Sequence, residues 1–302
     1  MFKRLFLGTT NVDFQKLGTR FYKIFILEFV LFIAIILSSL FGIFTLNLSV
    51  DFTGGTTYQL SANYTEADIN EVLGNDILQV SRYQTFENSN NIIFRAIEST
   101  QEIETQLLNY LSDKFNVETS EIDFQRVGPT FGQDITEKGI RALVIFITII
   151  ALLISIRYEY KYALIALVAL LHDLLLTFSI YIVIGLEITP STIIALLTIL
   201  GYSLYDTVIL FDKLKDSQRA FKISSLNKDV LNKTFNEVLM RSINTSLTSA
   251  IPIISIIFIG NYLGIEGNLA DFAIPLLIGI ISGTYSSIFV TIPFLSKIIK
   301  SN

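Results

Sequence analysis

The stretch Gly201–Asp216 reads GYSLYDTVILFDKLKD, and the apolar run STIIALLTIL at 191–200 leads into it. Asp212, Lys213 and Lys215 have the character of a membrane–water boundary. Asp206 comes before that boundary, with Val208, Ile209, Leu210 and Phe211 still to follow. A charge inside a bilayer costs at least about 2.5–3.5 kcal/mol on insertion scales. Those apolar residues span about 6 Å of helix, too far for so short a side chain to reach the interface. Asp206 therefore reads as a carboxylate facing the interior of a helix bundle, able to take up a proton or an ion. The competing reading is a purely structural hydrogen-bond acceptor. Tyr202 and Ser203 lie one turn earlier on the same face and are candidate partners. Gly201 is expected to give a neighbouring helix room to approach.

The composition sets the class. Of 302 residues, 51% are hydrophobic and only 16% charged, against about 25% in a typical soluble domain. An integral membrane protein with a soluble part is expected. No cysteine is present, which excludes disulfides, thiolate metal sites and cysteine nucleophiles. The single histidine, His172, argues against a histidine metal centre. Neither a metal, an organic cofactor, an enzymatic activity nor a nucleic-acid partner is expected.

Six apolar runs have spanning length. They are placed at 22–46, 140–156, 162–186, 191–211, 246–262 and 272–292. The fifth is the weakest, being rich in Ser and Thr and interrupted by Pro252. The first lacks a small-x-small cleavage site and reads as an uncleaved helix. Residues 1–21 form an N-terminal segment, 212–241 a charged loop, 140–296 a five-helix bundle and 297–302 a tail. Positive charges orient the chain. Lys3, Arg4, Lys16, Arg20 and Lys23 precede the first run. Arg157 and Lys161 follow the second, and Lys213, Lys215, Arg219, Lys222, Lys228 and Lys233 follow the fourth. Lys297 and Lys300 close the chain, whereas the alternate loops carry Glu187, Glu266 and Asp271 and no Lys or Arg. Both termini are thus expected on the cytoplasmic side, and residues 50–139 on the other.

That intervening segment is polar, acidic and patterned. DFTGGTTYQLSA has strand character. TEADINEVLG opens with Thr65 as N-cap and Asp68 three residues on. QVSRYQTF and NIIFRAI are strand-like, separated by the turn cluster ENSNN at 87–91. STQEIETQLLNYLSDKF sets Ile103, Leu107, Leu108 and Leu111 on one helical face, and EIDFQRV alternates again. The order β-α-β-β-α-β predicts a small α+β ferredoxin-like domain. Gly54 and Gly55, next to Asp51 in DFTGG, suit a tight turn where this domain meets the membrane. No phosphate-loop motif follows them.

Other polar residues fall inside the runs. RSINTSLTSAIP places Arg241, Thr245 and Thr248 at i, i+4 and i+7 with Asn244 beside them, a polar stripe that can face Asp206. Arg241 reads equally well as a cytoplasmic interface residue under the positive-inside rule. His172 and Asp173 lie mid-run in ALVALLHDLLLTF. Asp173 can extend a relay to Asp206 or accept a hydrogen bond from Thr177 or a neighbouring helix, and a lone histidine is more often structural. Gly279, Gly283 and Ser287 recur at fourth positions, a small-residue face for close helix packing.

VDFTGGT, VGPTFG, LHD, GYSLYDT with FDK, RSINTSLTS and LLIGIISGTYSSIF together carry a resemblance. The chain resembles the SecF family of bacterial protein-export membrane subunits, within the resistance–nodulation–division superfamily. The resemblance covers nearly the whole chain. It implies half of a pseudo-symmetric transmembrane unit, with SecD supplying the other half. It also implies an ion-coupling site at Asp206, Arg241 and Thr245, extended by Asp173, with H+ or Na+ as the coupling ion. Tyr202, Ser203, Tyr205, Asn244, Thr248 and His172 support that site. The implied partners are SecD, the SecY/SecE/SecG channel, YajC and YidC, the translocating preprotein and the lipid bilayer. The implied location is the bacterial cytoplasmic membrane. The chain departs from the family pattern at Tyr205, usually Asn, and at Lys213, usually Arg.

Three alternatives stand beside this reading. A small-molecule efflux transporter of the same superfamily usually carries two large outer domains and about twice as many helices. An intramembrane aspartyl protease needs a paired carboxylate dyad and a G-x-G-D motif, which is missing. A structural scaffold for SecD, with Asp206 fixing packing only, fits the sequence as well.

Overall fold

The computed structural model describes residues 12–44, 46–75, 79–86, 90–97, 100–158, 160–221, 228–263 and 268–300. Lys3, Arg4, Lys222, Glu266 and most of the expected turn at 87–91 lie outside the described residues. Six helices are long and apolar enough to cross a membrane. They are α1 (Phe14–Leu40), α5 (Pro129–Arg157), α6 (Tyr160–Ile184), α7 (Pro190–Phe221), α8 (Lys228–Leu263) and α9 (Asn268–Tyr285). The last continues through a π-helical turn, Ser286–Val290, into α10 (Thr291–Lys300).

Burial divides these helices into two sets. The apolar windows of α6, α7 and the last span are 50%, 44% and 61% buried, against 11%, 6% and 6% for those of α1, α5 and α8. Three helices are inner and three peripheral. The inner pair α7 and α9 approach closely because α9 presents glycines. A Cβ at Gly279 would collide with the Ile199 side chain, and one at Gly283 would sit 3.0 Å from Ser203 Cβ. Two apolar clusters hold the bundle. One gathers Leu170, Leu174, Ala195, Leu196, Ile199, Leu200, Ile253 and Ile280, and the other Tyr162, Leu210, Phe211, Leu214, Phe235, Val238 and Leu295. On α7 the polar residues Ser203 and Asp206 fall between them.

Helix boundaries depart from the sequence expectation in four places, the first being α1, which spans Phe14–Leu40 instead of 22–46. α5 begins at Pro129, not 140, because Pro at the first helical position suits a helix start. The described parts of the expected loop 212–241 are helical, and residues 222–227 lie outside the described residues. α7 runs on to Phe221 and α8 starts at Lys228. Phe235, Val238 and Leu239 bury one face of the α8 extension, so its charges need not break the helix. Asp212 is similarly anchored, accepting hydrogen bonds from Tyr158 Oη at 2.6 Å and Arg157 Nη2 at 3.1 Å. The last span is not one regular helix. Pro293 cannot donate to the ladder and crowds the carbonyl four residues earlier. The turn before it widens, and Thr291 Oγ1 reaches back five residues to Ser286 O at 3.2 Å.

Between α1 and α5 lies the ferredoxin-like domain. Its strands are β2 (Gly55–Ser61), β3 (Val80–Phe86), β4 (Asn91–Ala96) and β5 (Asp123–Val127), in the antiparallel order β3-β4-β2-β5. Tyr58 stands opposite both Phe94 and Phe124. Alternation buries Tyr58 and Leu60 on β2 and Ile92, Phe94 and Ala96 on β4. Helices α3 (Glu66–Leu73) and α4 (Gln101–Phe115) cover them with Ile69, Val72, Leu107, Leu111 and Phe115. Thr65 and Asp68 form a reciprocal capping box at the start of α3. On α4 the buried face is centred on Leu107, Leu111 and Phe115; Ile103 and Leu108 lie at its margin.

The domain meets the bundle through several joints. The short helix α2 (Val50–Thr53) ends at Gly54 with φ of 76°, and Gly55 follows with φ of 135°. A side chain at Gly55 would run into the Ala96 carbonyl, and one at Gly132 of α5 into the backbone of Phe52. Asp51 accepts a hydrogen bond from Ser49 Oγ at 3.1 Å. Strand β1 (Asn47–Leu48) pairs in parallel with β6 (Glu187–Ile188), which precedes α7. Arg95 of β4 forms an ion pair with Glu187, both largely buried. Burial pushes the Glu187 carboxyl above its ordinary range, and Arg95 pulls it partly back.

Arg95→Ala is expected to lower stability by about 3–5 kcal/mol, because it strands a buried carboxylate. A carboxyl whose folded-state pKa exceeds its unfolded value destabilises the fold when charged. That penalty disappears as pH falls through the raised value. The loss in Arg95→Ala should therefore shrink at acidic pH, and adding Glu187→Gln should recover part of it. Thermal unfolding of the full chain in nanodiscs checks this; a loss independent of pH would contradict it.

Candidate functional site

The bundle interior holds two polar nodes. The first is centred on Asp173 of α6, which is fully buried. Its carboxylate accepts from Ser203 Oγ of α7 at 2.5 Å, Ser282 Oγ of α9 at 2.5 Å and Ser286 Oγ of the π turn at 2.9 Å. His172 Nδ1 stands 3.4 Å from Oδ1. Thr177 donates to the Asp173 backbone carbonyl at 2.8 Å, not to the carboxylate. The node joins all three inner helices.

The second node is centred on Asp206 of α7, 8% exposed. Its Oδ2 accepts a hydrogen bond from Ser242 of α8. It lines a small cavity with Tyr202, Ser203, Thr245, Ser246, Ser249, Gly279, Ile280, Gly283 and Thr284. Ser246 and Thr284 hydrogen-bond to each other across α8 and α9. Ser246 also donates to the Ser242 carbonyl at 2.8 Å. One carboxylate and several hydroxyls thus converge on a space in the apolar bundle, a donor set suited to a proton, a water or a hard monovalent cation.

Several expected partners sit elsewhere. Arg241 makes no direct ion pair or hydrogen bond with Asp206, though its charge is near enough to act on that carboxylate. Its Nη2 donates to Tyr205 Oη at 3.0 Å, and its guanidinium lies 5.8 Å from that ring centroid. Both side chains are on the exposed face of the bundle. Thr245 lines the cavity, while Asn244 and Thr248 are exposed and Thr248 donates to carbonyls of its own helix. Ser203 belongs to the Asp173 node; Tyr202 reaches only the cavity. No hydrogen bond joins Asp206 directly to Asp173 among the described residues. Gly201 admits no neighbour, since a Cβ there would meet nothing within 4 Å. The small-residue face ends at Gly283. Ser287 falls in the π turn and donates to the Thr284 carbonyl at 3.2 Å.

The sequence reading set the polar face of α8 about one residue off. Besides the expected Thr245, the residues turned toward Asp206 and its cavity are Ser242, Ser246 and Ser249. They continue the buried positions Phe235 and Leu239 at alternating spacings of four and three toward Ile253, a signal that was present. Ser282 and Ser286 were also missed. So was Glu28, a carboxylate inside the first apolar run that hydrogen-bonds Tyr285.

The family profile described as "Protein export membrane protein SecD/SecF, C-terminal" matches residues 106–301, and that described as "SecD/SecF GG Motif" matches 39–63. The chain belongs to the SecD/SecF family. The protein translocase subunit SecF of Streptomyces coelicolor is 34% identical over 98% of this chain and 79% of its own length. That of Calditerrivibrio nitroreducens is 34% identical over 95% of this chain and 94% of its own. That of Mycobacterium tuberculosis is 36% identical, with 82% of this chain matched to 59% of its own. A crystal structure of Thermus SecDF, described as a translocon-associated membrane protein, superposes with a TM-score of 0.83 at 24% identity. A second SecDF structure, in a super-membrane-facing form, gives 0.68 at 23%. These two likenesses concern the fold. The chain covers 98% and 97% of itself in them but only 40% and 39% of the SecDF chains.

Ser203→Ala removes one donor from a fully buried carboxylate and is expected to cost roughly 1–3 kcal/mol. Thr248→Ala, on an exposed face, should stay within about 0.5 kcal/mol. Thermal unfolding of the two variants side by side measures the difference; equal losses would mean the Asp173 node contributes little to stability.

Proposed function

We propose that the chain is a SecF-type subunit of a bacterial Sec translocase, and that ion binding at Asp206 drives its contribution to preprotein export. One observation carries the proposal. Asp206 is a nearly buried carboxylate that opens on a hydroxyl-lined cavity between α7, α8 and α9, within the spans. Intramembrane carboxylates are costly and default to function. The coupling ion is H+ or Na+, and no organic cofactor takes part. A proton crossing the membrane releases about 2.3 kcal/mol per 100 mV. The ferredoxin-like domain, on the extracytoplasmic side with both termini cytoplasmic, is the mechanical output. Its joints to α5, and through β6 to the start of α7, supply a path from bundle to domain.

SecD is the proposed direct partner, together with the SecY/SecE/SecG channel and, more peripherally, YajC and YidC. The exposed polar group Arg241, Tyr205, Asn244 and Thr248 supports this. A bundle face that carries a guanidinium is poorly suited to lipid tails. A second six-helix half docked there would cover it and bring Arg241 into a closed ion path. Arg241 then acts between the two halves, besides its longer-range influence on Asp206 within this chain.

The test is complementation in a SecF-depleted host, following maturation of one exported preprotein. Wild type is expected to restore export, while Asp206→Asn assembles at equal level and does not. Equal rescue by both would leave Asp206 a structural residue and make the chain a scaffold for SecD.

A further inference from the structure

Glu28, His172 and Asp173 form a line that the Asp206 site does not use. His172 is fully buried between two carboxylates. Its Nε2 stands 3.5 Å from Glu28 Oε2 of α1, and its Nδ1 3.4 Å from Asp173 Oδ1. Nε2 has no hydrogen-bond partner of its own. The ring is walled by Phe25 at 6.0 Å, Phe32 at 5.5 Å and Tyr285 at 5.7 Å, centroid to centroid. Tyr285 Oη donates to both Glu28 oxygens at 3.0 Å.

The titratable groups facing the imidazole are thus Glu28 from α1, Asp173 from its own helix and Tyr285 from α9. Neither carboxylate is paired with Lys or Arg among the described residues. Two carboxylates held in an apolar interior need compensating charge, because an unpaired ion there is prohibitively costly. With no cationic side chain beside them, that charge is a proton on the ring or on a carboxyl. The Glu28 side chain is 29% exposed, whereas both neighbours are sealed.

We infer that Glu28, His172 and Asp173 form a second proton-binding site, with Glu28 at its outer end. Proton movement along it balances without another reactant. A protonated Glu28 gives its proton to Nε2, the ring gives its Nδ1 proton to Asp173, and the negative charge moves from Asp173 to Glu28. The ring changes tautomer and keeps its charge. A histidine suits such shuttling because each nitrogen serves one neighbour. The inference goes beyond the proposed function and does not need Asp206 to bind ions.

His172 is the only histidine in the sequence, so 15N-histidine labelling of the full chain in nanodiscs reports on this ring alone. The ring signals are expected to change tautomer as the pH is varied. Glu28→Gln should displace the midpoint of that change, and Asp206→Asn should leave it in place. If Glu28→Gln fails to fold, Glu28→Asp, which withdraws the charge by one methylene, is read in the same way. A ring fixed in one neutral tautomer at every pH, or a midpoint indifferent to Glu28, would overturn the inference. A midpoint moved as much by Asp206→Asn as by Glu28→Gln would also overturn it, because the site would not be separate. Export that ignores Asp206 would remove the earlier proposal and leave this one standing.

Discussion

A single carboxylate with three hydroxyl donors sets the geometry of the bundle. Asp173 is fully buried, so its charge must be met by neighbouring groups. Ser203, Ser282 and Ser286 meet it from α7, α9 and the π turn. Hydrogen bonds to a charged group contribute about 1.5–3 kcal/mol each, well above neutral ones. They are directional, whereas the apolar contacts around them are not. The inner helices are therefore held at one mutual height and rotation. Gly279 and Gly283 make this possible by letting α7 come near enough for Ser203 to reach.

Asp206 occupies a different setting, though it lies less than one helical turn from Ser203 on the same helix. Its hydrogen bond comes from peripheral α8, and a cavity adjoins it. One carboxylate is hydrogen-bonded by three serines, while the other has a single side-chain hydrogen bond beside a helix that is little buried. Under the proposed function, the α8 flank is where an ion would enter and a partner would dock, and Arg241 stands at its outer edge.

Much of this was legible in the residues. Apolar runs gave the six spans, and the alternating strands of the segment 50–139 gave the ferredoxin-like order, because both patterns follow directly from burial. The Asp206 carboxylate announced itself by the cost of placing it there. What was not legible depended on a rotation of one residue. On α8, Arg241, Thr245 and Thr248 make as good a polar stripe as Ser242, Ser246 and Ser249. Only the packing of Phe235 and Leu239 decides between them. Serines such as Ser282 carry too little hydrophobicity signal to be singled out, and Glu28 was hidden by the length of the run around it. Gly201 misled for the opposite reason, since glycine marks close approach only where a neighbour exists.

The widened turn at Ser286–Val290 has a further consequence. A π turn amounts to one residue more than a regular helix needs, so everything beyond it is rotated by roughly 100°. Before the turn, Ser282 looks toward Asp173; after it, Ile292 and Leu295 look into the apolar cluster around Phe211 and Phe235. The extra residue works as a phase adapter between a polar layer and an apolar one. Such an insertion can in principle migrate along a helix by exchanging one set of carbonyl partners for the next. It begins at Ser286, which sets the adapter directly against Asp173 and one residue past Tyr285, the residue that hydrogen-bonds Glu28.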